Sequence, residues 1–279
     1  PEQRNSGLVV AGIVLAGLVA VSIDGNGTYF GVIRVGAIDT SLLWPGLLTA
    51  LASGVAGGLF ARVVIASLSG KSGDVFTRWR NARPVAFAAG CGLALAVIGV
   101  VNHGATFGSG YVYTRTMLEG QAMAPPEYVL FKFIATWITT WSGAPAGIFA
   151  PSLSIGAAVG NDIALLTHYS PVVLMALGMA GFLAAATQAP LTAFIIVMEM
   201  VDGHAMVLSL MASAYIASGV ARILSKPLYP SLALQYLARM PPPEVAAVPA
   251  PAPVPVPPPA AAESIPPPIM PPDISPPRA

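Results

Sequence analysis

The chain has 279 residues, of which 55% are apolar and only 9% charged, and its formal net charge is +1. That charged fraction lies far below the quarter usual for soluble domains, and the near-neutral balance removes the electrostatic case for a nucleic-acid partner. One cysteine, Cys91, sits in an apolar run, and His103, His168 and His204 have no ligand spacing, so an intrachain disulfide is excluded and a metal centre is disfavoured. No nucleophile–base constellation occurs. The expectation is an all-α integral membrane protein that is not an enzyme and needs no cofactor.

Residues 7–23 form an unbroken apolar run close to the shortest that can span a bilayer. Residues 24–45 read as a loop with Asp24, Gly25, Gly27 and Asp39. A second span, 46–68, is interrupted only by Arg62, which is expected to face protein or to extend its charge towards the next loop. It contains Gly54-x-x-Gly57-Gly58, small residues that permit close helix packing. Residues 71–83 hold Lys71, Arg78, Arg80 and Arg83 against Asp74 and read as a basic loop, cytoplasmic by the positive-inside rule. From there 85–101 crosses outward. Residues 102–127 and 24–45 are then external, and Arg4, Arg222, Lys226 and Arg239 lie on the cytoplasmic side.

In the outer segment, Gly108-Ser-Gly-Tyr-Val112 reads as a turn that starts a short helix. Residues 128–141 form an apolar helix bearing Lys132. They lead into Ser142-Gly-Ala-Pro-Ala-Gly-Ile-Phe-Ala-Pro151, whose two prolines and two glycines cannot continue a helix. Broken backbone survives in a membrane only where protein or a water-filled cavity satisfies it. A fresh helix, 152–167, follows, with Pro151 suited to its first turn. Free N–H groups of Ile148, Phe149 and Ala150 at that start would favour an anion. No lysine or arginine occurs between Lys132 and Arg222, so backbone would do most of the holding. From spacing alone, a simple Gly/Pro hinge is an equal alternative.

Residues 172–187 and 190–201 are two short apolar helices divided at Ala189-Pro190, a pattern typical of transporter midplane sites. Glu199 ends the second. Because Asp202-Gly203 follow, it is expected at the interface, bonding backbone. Residues 204–224 span again. Pro227 and Pro230 flank Leu228-Tyr229, and a last helix runs to about 240. Beyond it, seventeen of the last thirty-nine residues are proline. Residues 241–279 therefore read as an extended, disordered cytoplasmic tail, separate from the membrane domain 1–240. The chain starts at Pro1 without methionine and reads as a fragment of a longer protein.

Three motifs carry a family resemblance. The 142–151 stretch resembles the G-x-F-x-P signature of the CLC chloride channels and chloride/proton antiporters. Gly178-Met-Ala-Gly-Phe-Leu-Ala-Ala-Ala-Thr-Gln-Ala-Pro-Leu-Thr is similar to that family's G-M-x-x-x-x-A-A-x-x-x-A-P-L-T segment. Ser225-Lys-Pro-Leu-Tyr229 is similar to its K-P-L-Y segment, which carries an inner-gate tyrosine. They occur in the family's order, and the resemblance covers 7–240, the family's second half.

The resemblance implies a bundle of tilted and interrupted helices, the second inverted repeat plus flanking helices. It implies chloride held by the Ile148 and Phe149 amides and the Tyr229 hydroxyl, with Ser142, Gly143, Pro145, Gly147, Ala150 and Pro151 shaping the anion loop. Partners would be chloride, protons in an antiporter, the lipid bilayer and a second copy in a homodimer, in a bacterial plasma membrane. The G-S-G-I-P serine and the gating glutamate of G-[KR]-E-G-P belong to the family's first half, and neither motif occurs here. Channel and antiporter are therefore not separated by these residues. A different secondary transporter, or a membrane scaffold acting through the proline-rich tail, are the alternatives.

Overall fold

Lipid is as apolar as leucine, so membrane helices associate less by apolar burial than by van der Waals packing between small residues. That preference organises this chain. A computed structural model describes residues 2–25, 27–32, 40–69, 75–121 and 123–238, and among them all regular structure is helical. The helices are α1 (Glu2–Asp24), α2 (Leu43–Leu68), α3 (Val75–Ala82), α4 (Pro84–Val101), α5 (Tyr111–Leu118) and α6 (Glu127–Trp141). They continue with α7 (Phe149–Thr167), α8 (Pro171–Thr187), α9 (Pro190–Met200), α10 (Val207–Leu224) and α11 (Leu228–Leu237). Among the described residues five segments are long and apolar enough to cross a membrane: Ser6–Ile23, Thr40–Leu68, Pro84–Val101, Phe149–Thr167 and His204–Leu224. Asp39, Lys71, Asp74 and Arg239, and the tail 241–279, lie outside the described residues.

The core is α8, apolar on every face and buried from Val173 to Ala186, as a helix surrounded by protein must be. It packs against α7, α2 and α10. Against α7 the approach is backbone to backbone. A Cβ on Gly160 would overlap the Leu174 carbonyl, and one on Gly178 would overlap that of Gly156. Gly54, Gly57 and Gly58 play the packing part expected of them on α2. A Cβ there would come within 2.9 Å of Val220, 2.7 Å of Ala185 and 3.1 Å of Ala221 respectively. Ser213 Oγ of α10 donates to the Leu177 carbonyl at 2.8 Å, tying α10 to α8.

Several boundaries differ from the sequence reading: α1 starts at Glu2 rather than 7 and α7 at Phe149 rather than 152, and two further differences have a local reason. The basic stretch is a helix over Val75–Ala82 rather than a loop, because it contains no Gly or Pro and its aromatic residues have partners. Trp79 meets Phe87 at 5.2 Å and Phe76 meets Trp141 at 5.7 Å. Helix α2 starts at Leu43, not 46, because Pro45 falls in its first turn, where no donor is needed.

Hydrogen bonds gather the helix ends into two groups. The Phe30 amide donates to the Met200 carbonyl at 2.9 Å and the Tyr111 hydroxyl to the Tyr29 carbonyl at 3.0 Å, gathering residues 29–30, the start of α5 and the end of α9. At the other end Arg80 donates to the Ser67 carbonyl at 3.2 Å, and Gln235 to that of Ile65 at 3.3 Å. Helix α1 has no buried residue between Ser6 and Ile23.

Candidate functional site

The site begins where α6 stops. Ser142 caps it, its amide donating to the Ile138 carbonyl at 2.9 Å and its hydroxyl to that of Thr139 at 2.7 Å. Gly143 then turns the chain in the left-handed region, φ 82°, which glycine enters without steric cost. The Ala144 amide bonds back to Ser142 Oγ at 3.2 Å, and Pro145 has no amide to satisfy. Residues 144–147 are irregular and exposed. Ile148 adopts helical angles, φ −91° and ψ −23°, and α7 begins at Phe149 with Pro151 in its first turn.

The first intrahelical bond runs from the Ser152 amide to the Ile148 carbonyl at 3.0 Å. Among the described residues the amides of Ile148, Phe149 and Ala150 have no hydrogen-bond partner. These are the orphan donors every helix start leaves, concentrated at the positive end of the dipole. The Ile148 side chain packs against the buried cluster that includes Phe60, Phe182 and Leu228, and Phe149 packs on the cluster around α8. Apolar side chains thus anchor a backbone whose donors remain available.

A cavity of about 550 Å³ adjoins this start, lined by Gly147, Phe149, Ala150 and Pro151, by α6 and by residues 106–109. Lys132 is the one charged side chain among its lining residues. It is 1% exposed, and its Nζ donates to the carbonyls of Thr106 and Gly108, each at 2.9 Å. Thr136, Thr139 and Thr140 line the same wall. Their hydroxyls donate to the Lys132, Ala135 and Thr136 carbonyls at 2.7, 2.7 and 2.8 Å. Sequence reading gave Lys132 no role, yet Lys132, Thr136, Thr139 and Thr140 follow i, i+4, i+7, i+8 spacing. That polar stripe on an apolar helix was the available signal.

Tyr229 stands apart from this cavity. Its ring is 47% exposed at the start of α11, which packs against α2 and α8. The connection is indirect, since its neighbour Leu228 is buried in the cluster that Ile148 joins. Glu199 is exposed at the end of α9, its carboxylate 3.6 Å from His204 Nε2, while Asp202 bonds His204 Nδ1 at 2.9 Å. The partner of Glu199 is a histidine rather than the backbone expected from the sequence. Arg62 is exposed, beside Lys226 around a small cleft at the C-terminal ends of α2 and α10. Among the described residues no cluster of His, Cys, Asp or Glu could hold a metal.

Comparison with known proteins gives a consistent outcome. The chain is 29% identical over 250 residues to the H(+)/Cl(-) exchange transporter ClcA of Yersinia pestis bv. Antiqua (strain Angola), covering 83% of this chain and 50% of the relative. It is 26% identical over 246 residues to the ClcA of Citrobacter koseri, with the same coverage. The chain therefore spans about half the length of the curated relatives it matches. Among solved structures, a slow cyanobacterial Cl-/H+ antiporter matches with TM-score 0.64 and 26% identity, over 81% of this chain and 54% of that one. A CLC-type fluoride/proton antiporter matches in fold, with TM-score 0.63 and 22% identity over 72% of this chain and 49% of that one. The family model described as voltage gated chloride channel matches residues 1–222, and the chain belongs to that family of integral membrane proteins.

Proposed function

We propose that the complete protein carries chloride across a membrane and that this chain supplies one half of the pathway. The observation that carries the reading is the unbonded Ile148, Phe149 and Ala150 amides at the start of α7, beside a cavity of about 550 Å³. Dipoles hold an anion without the full charge that would slow its release, which suits transport. Ser142, Gly143, Pro145, Gly147 and Pro151 keep that backbone out of helix and in place. The Tyr229 hydroxyl is the proposed donor at the inner end, reached after the anion leaves the amides. Proton-coupled exchange is the form we infer, because the ClcA relatives and the cyanobacterial antiporter carry that description.

The test is flux from liposomes. The complete gene product is expected to release chloride down its gradient and to drive proton movement as it does so. Residues 1–279 alone, with half of the pathway unlined, are expected to release none above empty-vesicle leak. Chloride movement without proton movement would make the protein a channel. Robust flux from residues 1–279 alone would remove the half-pathway argument.

A homodimer is part of the same proposal. The surfaces of α1 and of α10 expose Leu8, Ile13, Leu18, Leu208 and Ile223, each more than 60% accessible, to lipid or to a partner. Cross-linking the complete protein in native membranes is expected to trap dimers. Only monomers, at low and high protein density alike, would count against it.

A further inference from the structure

Among the described residues Lys132 has only backbone carbonyls as partners. Its side chain is 1% exposed in an apolar helix bundle, and among the described residues no carboxylate pairs with it. A buried ammonium in such a setting is costly unless compensated and marks function by default. Its two backbone acceptors, the Thr106 and Gly108 carbonyls, satisfy hydrogen bonding but leave a net positive charge beside the cavity.

The rest of the wall explains why that charge is needed. Thr136, Thr139 and Thr140 have spent their hydroxyl protons on their own helix, so they turn only lone pairs outward. Free carbonyls of the 106–109 loop would add more negative ends. A cavity lined this way would repel an anion just short of the α7 amides. Lys132 engages the Thr106 and Gly108 carbonyls and sets an ammonium among these negative ends.

The same lysine fixes the wall's position. Gly110, at φ 86°, lies so close to Ser154 that a Cβ would overlap its hydroxyl, and that Cβ would sit 3.1 Å from Lys132 Cε. Ser154 Oγ is in turn hydrogen-bonded to the buried Tyr128 hydroxyl at 2.8 Å. The Gly108-Ser-Gly110 turn is thus clamped between α6 and α7, and it lines the same cavity as the 146–151 stretch.

Resting on the transport reading above, we propose that Lys132 is a positioning residue that pins the outer 106–110 turn and supplies the field drawing the anion to the α7 amides. Its net charge is balanced when the transported anion is present. This makes the cavity an anion antechamber and rejects cations that its oxygen-rich wall would otherwise admit.

The experiment measures chloride flux against chloride concentration in liposomes for the complete gene product and its Lys132→Gln, Lys132→Arg and Lys132→Met forms, with a thermal melt of each. Lys132→Gln keeps a donor for the carbonyls and loses the charge. It is expected to raise the chloride concentration for half-maximal flux about tenfold or more, the low end of the range for electrostatic focusing, with a melt near that of the unsubstituted protein. Lys132→Arg is expected to restore most of the affinity. Lys132→Met, which leaves two buried carbonyls unbonded, is expected to lower the melt as well. An unchanged half-saturation in folded Lys132→Gln overturns the proposal, and so does an arginine form as impaired as the glutamine form. Absence of all anion flux from the unsubstituted protein overturns the transport reading itself and this assignment with it.

Discussion

Gly160→Ala is expected to lower stability by about 3 kcal/mol, the upper end of the usual range for overpacking. One methyl group suffices because what it meets is backbone. The new Cβ would overlap the Leu174 carbonyl and come within 2.6 Å of Met175 Cα, neither of which can rotate away. Helices α7 and α8 would have to separate along the crossing that buries Ser152–Asn161 on one and Val173–Ala186 on the other. The control is Gly92→Ala in α4, where a Cβ has nothing within 4 Å. There the exchange is expected to be neutral or to stabilise by about 0.5–1 kcal/mol through helix propensity. Thermal melts of the two purified variants in detergent decide the matter. Equal melting temperatures would mean that the α7–α8 crossing is looser than described here.

Phe149→Pro is expected to abolish most chloride binding while Phe149→Leu leaves it largely intact. In the leucine form the backbone donor remains and only the ring is lost. In the proline form the donor itself is deleted at a helical position where proline is otherwise well tolerated. A charge-assisted hydrogen bond is worth about 1.5–3 kcal/mol, or roughly tenfold to more than a hundredfold in affinity. Proline also disfavours helical angles in the residue before it, and Ile148 has them, so a second amide would be re-aimed and the loss enlarged. Tyr229→Phe removes one hydroxyl and should fall between the two, unless water replaces it. Calorimetric chloride titrations of the complete protein give the order, and melts confirm that each variant is folded. A leucine form as damaged as the proline form would place the binding in the aromatic ring and end the backbone mechanism.

The class of protein, the order of its helices and the break at 142–151 were all legible in the residues. The reason is that each depends on local chemistry. Apolar runs of spanning length can do little but cross lipid. Gly143, Pro145, Gly147 and Pro151 act on their own backbone, and Pro151 fell in the first turn, as its missing donor requires. The Gly54-x-x-Gly57-Gly58 packing face was equally readable, because small residues at helical spacing have few other uses in a membrane.

What the tertiary structure alone decided are the pairings across distance. Lys132 finds its acceptors 24 and 26 residues away, and no periodicity in α6 says which loop will lie above it. The spacing of Gly156 and Gly160 permits a close crossing, but that Leu174 and Gly178 occupy it follows from how α8 folds back. The basic stretch 75–82 is a helix because Phe87 and Trp141 lie beside its aromatic residues, a fact absent from the stretch itself. Tyr229 is half-exposed and does not line the cavity beside α7, since its place is set by α11 packing on α2 and α8. Local backbone preferences are written residue by residue. The bonds that hold Lys132 beside the cavity exist only once α6 and residues 106–108 are brought together.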